Sequence, residues 1–304
     1  MRKRLSADFR HNLELMSMNL PTVLWVLIFS YLPMIGLVLA FKDYRYDLGI
    51  IGSEWVGLQN FDFLFSSNNA WRITRNTVGM NFMFIVTGPI FGILFAVLLN
   101  EITKRFIKIY QTVIFFPYYL SWVVVGYAFI GLFDMESGLI NRLIMKFGGE
   151  AIMWYNEPKY WPYILLITYI WKHVGFTSIL YYTTIIGISR DYYEAAEIDG
   201  ATKLQQIRFI TLPLLVPTVI ILMLLDIGNI FRADFGMFYF LTQNSGALYE
   251  TTDVIDTYVF RTLRELGDIG MGTAAGLFQG GVGLLLVLTV NWIVRKFNRE
   301  NALY

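Results

Sequence analysis

The sequence predicts an all-α integral membrane protein with six transmembrane helices. Its 304 residues are 56% hydrophobic and 15% charged, whereas typical soluble domains are about 25% charged. The mean hydropathy is +0.52. Six separate apolar runs each have roughly the 20 residues that a helix needs to cross a bilayer. These features exclude a soluble globular protein and leave no room for a large domain outside the membrane.

The first apolar run, at about 21–41, follows a basic N-terminal stretch and could be mistaken for a signal peptide. It is too long for a typical signal core, and no small-residue cleavage site follows at Phe41-Lys42-Asp43, so we expect a retained span. Charged residues, Gly or Pro bound the five further runs, which fall at about 76–99, 111–133, 162–188, 215–239 and 274–294.

The distribution of Lys and Arg predicts the orientation of the chain. Thirteen of them lie in the N-terminal segment and the segments 100–110, 189–214 and 295–304. The three longer loops between these segments hold nine. Because Lys and Arg accumulate on the cytoplasmic side, both termini are expected in the cytoplasm. The predicted organisation is a cytoplasmic N-terminal segment 1–20, a membrane domain 21–294 and a cytoplasmic tail from 295 onwards.

No metal site or nucleophilic cysteine is expected. The chain has no cysteine and only two histidines, so a histidine-built metal centre would need several carboxylates. A membrane enzyme such as a lipid-linked glycosyl transferase would need a cluster of acidic residues or histidines at the membrane edge. The candidate acidic residues are too scattered for such a cluster: Asp134, Glu136, Glu157 and Asp191. A net charge of +1 gives no indication of nucleic-acid binding.

The segment between the fourth and fifth apolar runs predicts a short helix, a turn and a second helix. The stretch Glu194-Ala195-Ala196 consists of good helix formers, and Gly200 favours the left-handed turn that ends such a helix. Pro213 fits the start of the following span, where its missing amide is not needed. Spacing alone leaves open whether the first helix simply lies on the membrane surface as an amphipathic helix.

Three elements at set distances give this segment, 189–213, a specific resemblance. Glu194-Ala195-Ala196, then Gly200, then Ile210-Thr211-Leu212-Pro213, placed before the penultimate span, resemble the EAA loop of binding-protein-dependent ABC importer permeases. Further segments resemble the oligosaccharide branch of that family, and within it the MalF/LplB-like polysaccharide permeases. These segments are Tyr31-Leu32-Pro33-Met34, Ala40-Phe41-Lys42-Asp43-Tyr44, Trp55-Val56-Gly57-Leu58-Gln59-Asn60-Phe61, Asn76-Thr77 and Phe116-Pro117-Tyr118.

The resemblance implies the MetI/MalF-like permease core of a type I ABC importer in a bacterial cell membrane. Such an importer joins two homologous permeases, two cytoplasmic ATPases and an extracellular solute-binding protein, which delivers an oligosaccharide. The resemblance also implies that the EAA loop couples to the ATPases, through Glu194, Ala195, Ala196, Gly200, Ile210, Leu212 and Pro213. The partner ATPases would bind ATP and Mg²⁺, which leaves no cofactor and no enzyme activity in this chain.

The absence of a nucleotide-binding motif agrees with this division of labour. No Gly-x-x-x-x-Gly-Lys-Ser/Thr phosphate loop occurs, and Lys203, the nearest lysine after a glycine, is followed by Leu204. Two alternatives to an oligosaccharide importer stay open from the residues: an importer of the same type for a non-sugar solute, and a proton-coupled secondary carrier.

Charged residues inside the apolar runs predict a polar site in the membrane. A charge at the bilayer centre costs about 2.5–3.5 kcal/mol, so Lys172, Asp226, Arg232 and Asp234 are expected to face protein or water. Lys172 and Asp226 fall at similar depth, which predicts a pair with either a locking or a substrate-binding role. Asn229 follows Asp226 by one helical turn. One regular face cannot hold all these residues, so either span five bends or Arg232 serves a subunit interface.

Aromatic residues supply the other half of a sugar site. A pyranose ring presents apolar C–H faces that stack on aromatic rings, and its hydroxyls need polar partners. The resemblance favours Tyr118, because related sugar permeases use a Tyr here on the ligand. The full set of predicted substrate contacts is Tyr118, Trp122, Trp171, Lys172, Phe176, Asp226, Asn229 and Asp234. The implied cargo is a polysaccharide fragment or complex glycan.

Two further features are predicted to be structural. His173 is expected to be a buried, hydrogen-bonded histidine rather than a proton relay. Gly272, Gly276 and Gly280 form a stripe of small residues that would let another helix approach closely, either within this chain or from a second permease.

Overall fold

The computed structural model describes residues 16–65, 69–103 and 105–297. Within these residues, five helices are long and apolar enough to cross a membrane. A sixth crossing is formed by two shorter helices that meet at an angle of 92°. The predicted all-α membrane fold with six spans is therefore confirmed. Positions 1–15 of the predicted N-terminal segment and positions 298–304 of the predicted tail lie outside the described part.

The six spans follow the apolar runs, with shifted ends. They are span one, Met16–Phe41; span two, Ala70–Glu101; span three, Ile107–Tyr119 and Trp122–Phe133; span four, Pro158–Ile186; span five, Lys203–Gly228; and span six, Ile269–Phe297. Span five differs most from its predicted range of 215–239. It begins within the segment that resembles the EAA loop and ends at Gly228, well before the apolar run does.

The early start of span five changes the position expected for Pro213. A capping box between Thr202 and Gln205 starts the helix, which continues through a π-helical turn at Ile207–Thr211. The amide of Leu212 bonds back to the carbonyl of Ile207 across this wider turn. Pro213 therefore lies inside a continuous helix and not at its start, and the wider turn accommodates its missing amide.

Short elements cover the ends of the spans on the side predicted to be extracellular, which we call the outer side. After span one, strands Lys42–Asp43 and Glu54–Trp55 form a small antiparallel hairpin. The side-chain amide of Asn60 donates to three carbonyls at the end of span one, which fixes this hairpin on the membrane domain. The surface helices are Gly49–Gly52, Asp62–Phe65, Leu139–Lys146, Arg190–Ile198, Tyr249–Thr252 and Ile255–Leu266, of which Arg190–Ile198 lies on the opposite side, predicted to be the inner one.

A buried carboxylate locks the outer end of span two to the surface helix Ile255–Leu266. The side chain of Asp253 is fully buried and accepts from Arg72 at 2.9 Å and from Arg261 at 2.6 Å. The amide of Asn76 adds a bond to the Asp253 carbonyl at 3.0 Å. Thr77, its neighbour in a segment that resembles sugar permeases, accepts from the Ile255 amide at 2.9 Å. Paired cations and backbone bonds offset the cost of burying this carboxylate.

The close helix contact in span six lies beyond the predicted glycine stripe. A Cβ on Gly276 would have no atom within 4 Å, and one on Gly272 would meet only Val259, at 3.8 Å. A Cβ on Gly283, in contrast, would clash with the carbonyl oxygen of Gly228 at the end of span five. Gly283 therefore makes the close approach within this chain, and a role of the stripe toward a second permease stays a prediction.

Candidate functional site

The first part of the site is the bend in span three. Helix Ile107–Tyr119 ends at Leu120, whose backbone is extended, and Ser121 caps the next helix by accepting from the Val124 amide at 3.3 Å. Pro117 and Ser121 are typical of a helix end and a helix start, so this bend had a signal in the sequence that the apolar run obscured.

Lys172 of span four holds this bend. Its ammonium donates to the carbonyl oxygens of Pro117 at 3.2 Å, of Tyr118 at 3.0 Å, and of Leu120. The side chain is buried and also lies 4.9 Å from the centre of the Trp122 ring. Because the carbonyls at a helix C-terminus carry partial negative charge, they can neutralise a buried cation without a carboxylate.

The predicted pair between Lys172 and Asp226 is therefore wrong. No ion pair in the described residues includes either side chain. The lysine has its three donors engaged by the bend, and the partial charges of that helix end replace the expected carboxylate. Lys172 is thus placed to shape the site, and its ammonium is not free to contact a solute.

Trp122 is held from several sides at the start of the second half of span three. Its indole N–H donates to Asp234 at 2.6 Å. The other carboxylate oxygen of Asp234 accepts from the Met237 amide at 3.2 Å, which caps the turn Met237–Leu241. A Cβ on Gly236 would lie 2.5 Å from the indole, so only glycine lets the ring pack there. The predicted site residues Trp122, Lys172 and Asp234 are brought together.

Two more of the predicted residues form a stacked aromatic pair beside them. The rings of Tyr118 and Phe176 have centroids 4.9 Å apart and are nearly parallel, at 11°. Both rings keep more than a third of their surface exposed. His173 lies edge-on to Tyr118, and its Nε2 is buried without a hydrogen-bond partner among the described residues. At this nitrogen, the expectation of a hydrogen-bonded histidine is wrong, because the imidazole packs against the rings of Trp122 and Tyr169.

The second part of the site is a break in span five. The helix ends at Gly228, and the backbone is irregular from 229 to 234 before it turns again. Asn81 of span two donates to the carbonyls of Ile230 at 2.8 Å and Arg232 at 2.9 Å. Unpaired backbone groups cannot be tolerated in a bilayer, so such bonds make the break possible. The sequence left open whether span five bends or Arg232 serves a subunit interface, and the break shows that span five bends.

Two residues from other elements complete the bonding of this break. Gln279 of span six donates to the Phe231 carbonyl at 2.7 Å, and Asp256 accepts from the Ala233 amide at 2.8 Å. Burial raises the pKa of the Asp256 carboxyl, which lies in the outer surface helix. Sequence reasoning missed Asn81, Gln279 and Asp256. For Asn81 and Gln279 the available signal was a polar side chain within an apolar run.

Three of the predicted substrate contacts lie outside this cluster of residues. Trp171 lines an apolar groove with Val124 and Phe129, on a different side of span four from the Tyr118 stack. Asp226 is exposed, and its carboxylate accepts no hydrogen bond from the described residues. Asn229 is exposed and donates back to the Leu225 carbonyl at 3.0 Å, closing the end of span five.

The segment that resembles the EAA loop forms the predicted helix, turn and helix. The first helix, Arg190–Ile198, is capped by Ser189 and ends at Gly200, which has φ +80°. The amides of Gly200 and Ala201 bond back to the carbonyls of Glu197 and Ala196, the pattern of a Schellman motif. A residue with a side chain would be strained at that φ, which explains the glycine.

Side-chain bonds attach the helix Arg190–Ile198 to span five; we call it the coupling helix after its predicted role. Lys203 donates to Glu197 at 2.9 Å, and the hydroxyl groups of Tyr193 and Thr211 lie 2.9 Å apart. Sequence reasoning missed these bracing residues, which lie within the motif. Glu194 and Ala195 are exposed on the helix, as are the large side chains of Tyr192 and Ile198, and Leu204 is exposed at the start of span five. The coupling helix thus combines a fixed base with an exposed surface of charged and apolar side chains.

Comparison with known families identifies what this architecture belongs to. Residues 88–301 match the family model described as "Binding-protein-dependent transport system inner membrane component". The chain belongs to this family. The family consists of transport permeases and not of enzymes. The multi-pass membrane protein with a MetI/MalF-like fold, and the resemblance to carbohydrate ABC importer permeases, are thereby confirmed.

Individual relatives resemble this permease over almost its whole length. The polygalacturonan/rhamnogalacturonan transport system permease protein YteP of Bacillus subtilis is 37% identical over 303 residues, covering 98% of this chain and 93% of the relative. Protein LplB of the same bacterium is 35% identical, and the match covers 92% of this chain and 88% of LplB. A crystal structure of a bacterial ABC transporter involved in the import of the acidic polysaccharide alginate matches with a TM-score of 0.85 and 34% identity, covering 97% of this permease and 99% of that chain.

Proposed function

We propose that this permease is one of two membrane subunits of an ATP-driven oligosaccharide importer, and that partner ATPases move it through the coupling helix. The observation that carries this proposal is a continuous helix of 26 residues that joins the coupling segment to the break in span five. At about 1.5 Å per residue this helix spans about 39 Å. A displacement of the coupling helix is transmitted along this rigid element to the site.

The surface of the coupling helix suits a protein groove. Small side chains at Ala195 and Ala196 allow a close approach, and the exposed apolar residues beside them provide area to bury. Glu194 is exposed and can contact basic groups of an ATPase. In this arrangement the two partner ATPases bind ATP and Mg²⁺, both termini lie in the cytoplasm, and the permease itself carries no cofactor.

The cargo we propose is an acidic oligosaccharide that a solute-binding protein delivers. Alginate is named as an acidic polysaccharide in one related structure, and polygalacturonan is in the name of a related permease. A second structure of the alginate transporter is in complex with an alginate pentasaccharide-bound periplasmic protein. The exposed faces of Tyr118 and Phe176 can stack on a sugar ring, and Asp226 and Asn229 can bond its hydroxyls.

The proposal is tested with proteoliposomes that contain this permease, its partner permease and the ATPases, supplied with binding protein and oligosaccharide. Glu194→Lys should abolish both ATPase copurification and ATP-dependent uptake, because it places a positive charge where the groove is expected to be basic. Glu265→Lys, on the exposed outer surface helix, is the matched control and should behave as wild type.

Two outcomes would contradict the proposal. Retention of the ATPases and of uptake by Glu194→Lys would remove the coupling role. Uptake that proceeds without ATP and collapses with an uncoupler would indicate a proton-coupled carrier instead.

A further inference from the structure

Arg232 is a charged side chain in the span-five break that forms no ion pair with the described residues. It is exposed, and no acidic oxygen of the described residues lies within 4.0 Å of its guanidinium. Its terminal nitrogen points toward span six, where a Cβ on Gly280 would lie 3.8 Å away. A guanidinium among the spans cannot face lipid cheaply, so it faces water, a solute or another subunit.

The other cation that the sequence places within the apolar runs is already engaged. Lys172 donates to three carbonyls and is buried, so it has no donor left for a solute. Of these two cations, Arg232 is therefore the one that remains free. Arg is also the residue best suited to a carboxylate, since its planar fork can donate two parallel hydrogen bonds.

The neighbouring carboxylates are held in ways that leave Arg232 available. Asp234 bonds the Trp122 indole and the Met237 amide. Asp256 interacts electrostatically with Arg232, but its carboxylate accepts from the Ala233 amide and from Gln279. Each acid is fixed by its own bonds, so neither forms a direct ion pair with Arg232.

The backbone of Arg232 lies near the aromatic site. Asp234 follows it by two positions, and an extended chain covers at most about 7 Å over that distance. The carboxylate of Asp234 in turn contacts Trp122 at 2.6 Å. A sugar that stacks beside Trp122 can therefore extend a substituent toward the guanidinium.

We propose that Arg232 binds the carboxylate of a uronic acid unit in the cargo and so selects acidic over neutral oligosaccharides. This inference rests on the proposed function, because it assigns the specificity of the same import site. A carboxylate here forms an ion pair with two parallel hydrogen bonds, which its methyl ester cannot form.

The test uses the reconstituted importer with two probes, an oligogalacturonide trimer and the same trimer as its methyl ester. Arg232→Gln should raise KM for the acidic trimer about tenfold, because charge-assisted bonds of the usual strength are lost. KM for the ester and the maximal rate should stay within about twofold. Arg232→Lys should retain part of the preference, since it keeps the charge but loses the fork. Arg45→Gln, in an exposed pair with Asp47, is the matched control.

Three outcomes overturn the inference. An equal loss for both probes, with reduced copurification of the partner permease, would make Arg232 an interface residue. Unchanged kinetics in Arg232→Gln would remove it from the site while the importer function stands. Failure of the wild-type importer to transport either probe would overturn the inference together with the proposed cargo, and nucleotide-dependent uptake of another solute would then identify the cargo as the part at fault.

Discussion

The coupling helix and the two breaks inside the membrane differ in where their backbone groups find hydrogen-bond partners. In both regions the backbone departs from regular helix, and its N–H and C=O groups need hydrogen-bond partners. At the coupling helix, Gly200 bonds to a carbonyl three residues away and Thr202 to a residue three ahead. At the breaks, Lys172 bonds carbonyls 52 to 55 residues away, and Asn81 bonds carbonyls 149 and 151 residues away.

The difference follows from the solvent of each region. Water can satisfy an open turn at the inner surface, so local bonds are sufficient there. A bilayer offers no such partners, and the breaks depend on side chains from other spans. Mutations should therefore be severe at the breaks and mild at the braces of the coupling helix.

The largest effect is expected for Lys172→Met, which removes three bonds from the bend of span three at once. The three carbonyls are left without a donor, and the free energy of unfolding should fall by about 3–5 kcal/mol. Thermal unfolding of the purified permease in detergent measures this loss. Lys172→Arg keeps the charge and several donors, and it should recover a large part of the stability.

A wild-type melting temperature for Lys172→Met, with uptake alone impaired, would contradict this assignment. Lys172 would then act on the solute, as the sequence first predicts, and the carbonyls of Pro117, Tyr118 and Leu120 would have to be satisfied by water.

A matched glycine pair in span six tests how closely the second break is packed. Gly283→Ala places a methyl group against the carbonyl of Gly228. We expect this overpacking to lower the free energy of unfolding by about 3 kcal/mol. In Gly281→Ala the added methyl group meets no atom within 4 Å. The free energy of unfolding should therefore stay unchanged or rise by up to about 1 kcal/mol, because Ala has the higher helix propensity. Equal melting temperatures for the two variants would contradict the close approach of spans five and six.

What the sequence could predict follows the same division between local and distant bonds. The six spans and the coupling helix depend on composition and on neighbours such as Glu194 and Gly200, so they were predictable. Tyr118 was predicted as a site residue from the resemblance to sugar permeases, and Trp122 from its aromatic ring; a contact of either with a solute stays a prediction. The partner of Lys172 was predicted wrongly, since a bond between positions so far apart in the chain leaves no trace in local spacing.

A smaller effect is expected for Asn81→Leu in span two. The variant keeps a similar size but removes both bonds to the carbonyls of Ile230 and Arg232, so stability should fall by about 2 kcal/mol. Because the loss is local to the break, uptake should decrease more than the melting temperature suggests. Thermal unfolding and uptake measured on the same preparation give both quantities. Wild-type values for both would mean that the break is held by other bonds.

The smallest effect is expected at the ion pair of Lys203 and Glu197, which braces the coupling helix. The hydrogen bond from Lys203 lowers the pKa of the Glu197 carboxyl below its ordinary value. The pair therefore contributes stability above the ordinary carboxyl pKa. That contribution is lost as the pH falls through the lowered pKa of Glu197.

Over half of each side chain in this pair is exposed, so solvent screens the attraction and its contribution to stability is small. Lys203→Ala should leave the melting temperature and ATPase copurification near wild type at every pH from about 5 to about 9. The Schellman turn at Gly200 and the hydroxyl contact of Tyr193 with Thr211 still hold the helix in that variant. A loss of stability comparable to that of Asn81→Leu would mean that the coupling helix, too, depends on a single non-redundant side-chain bond, and the contrast between the two regions would fail.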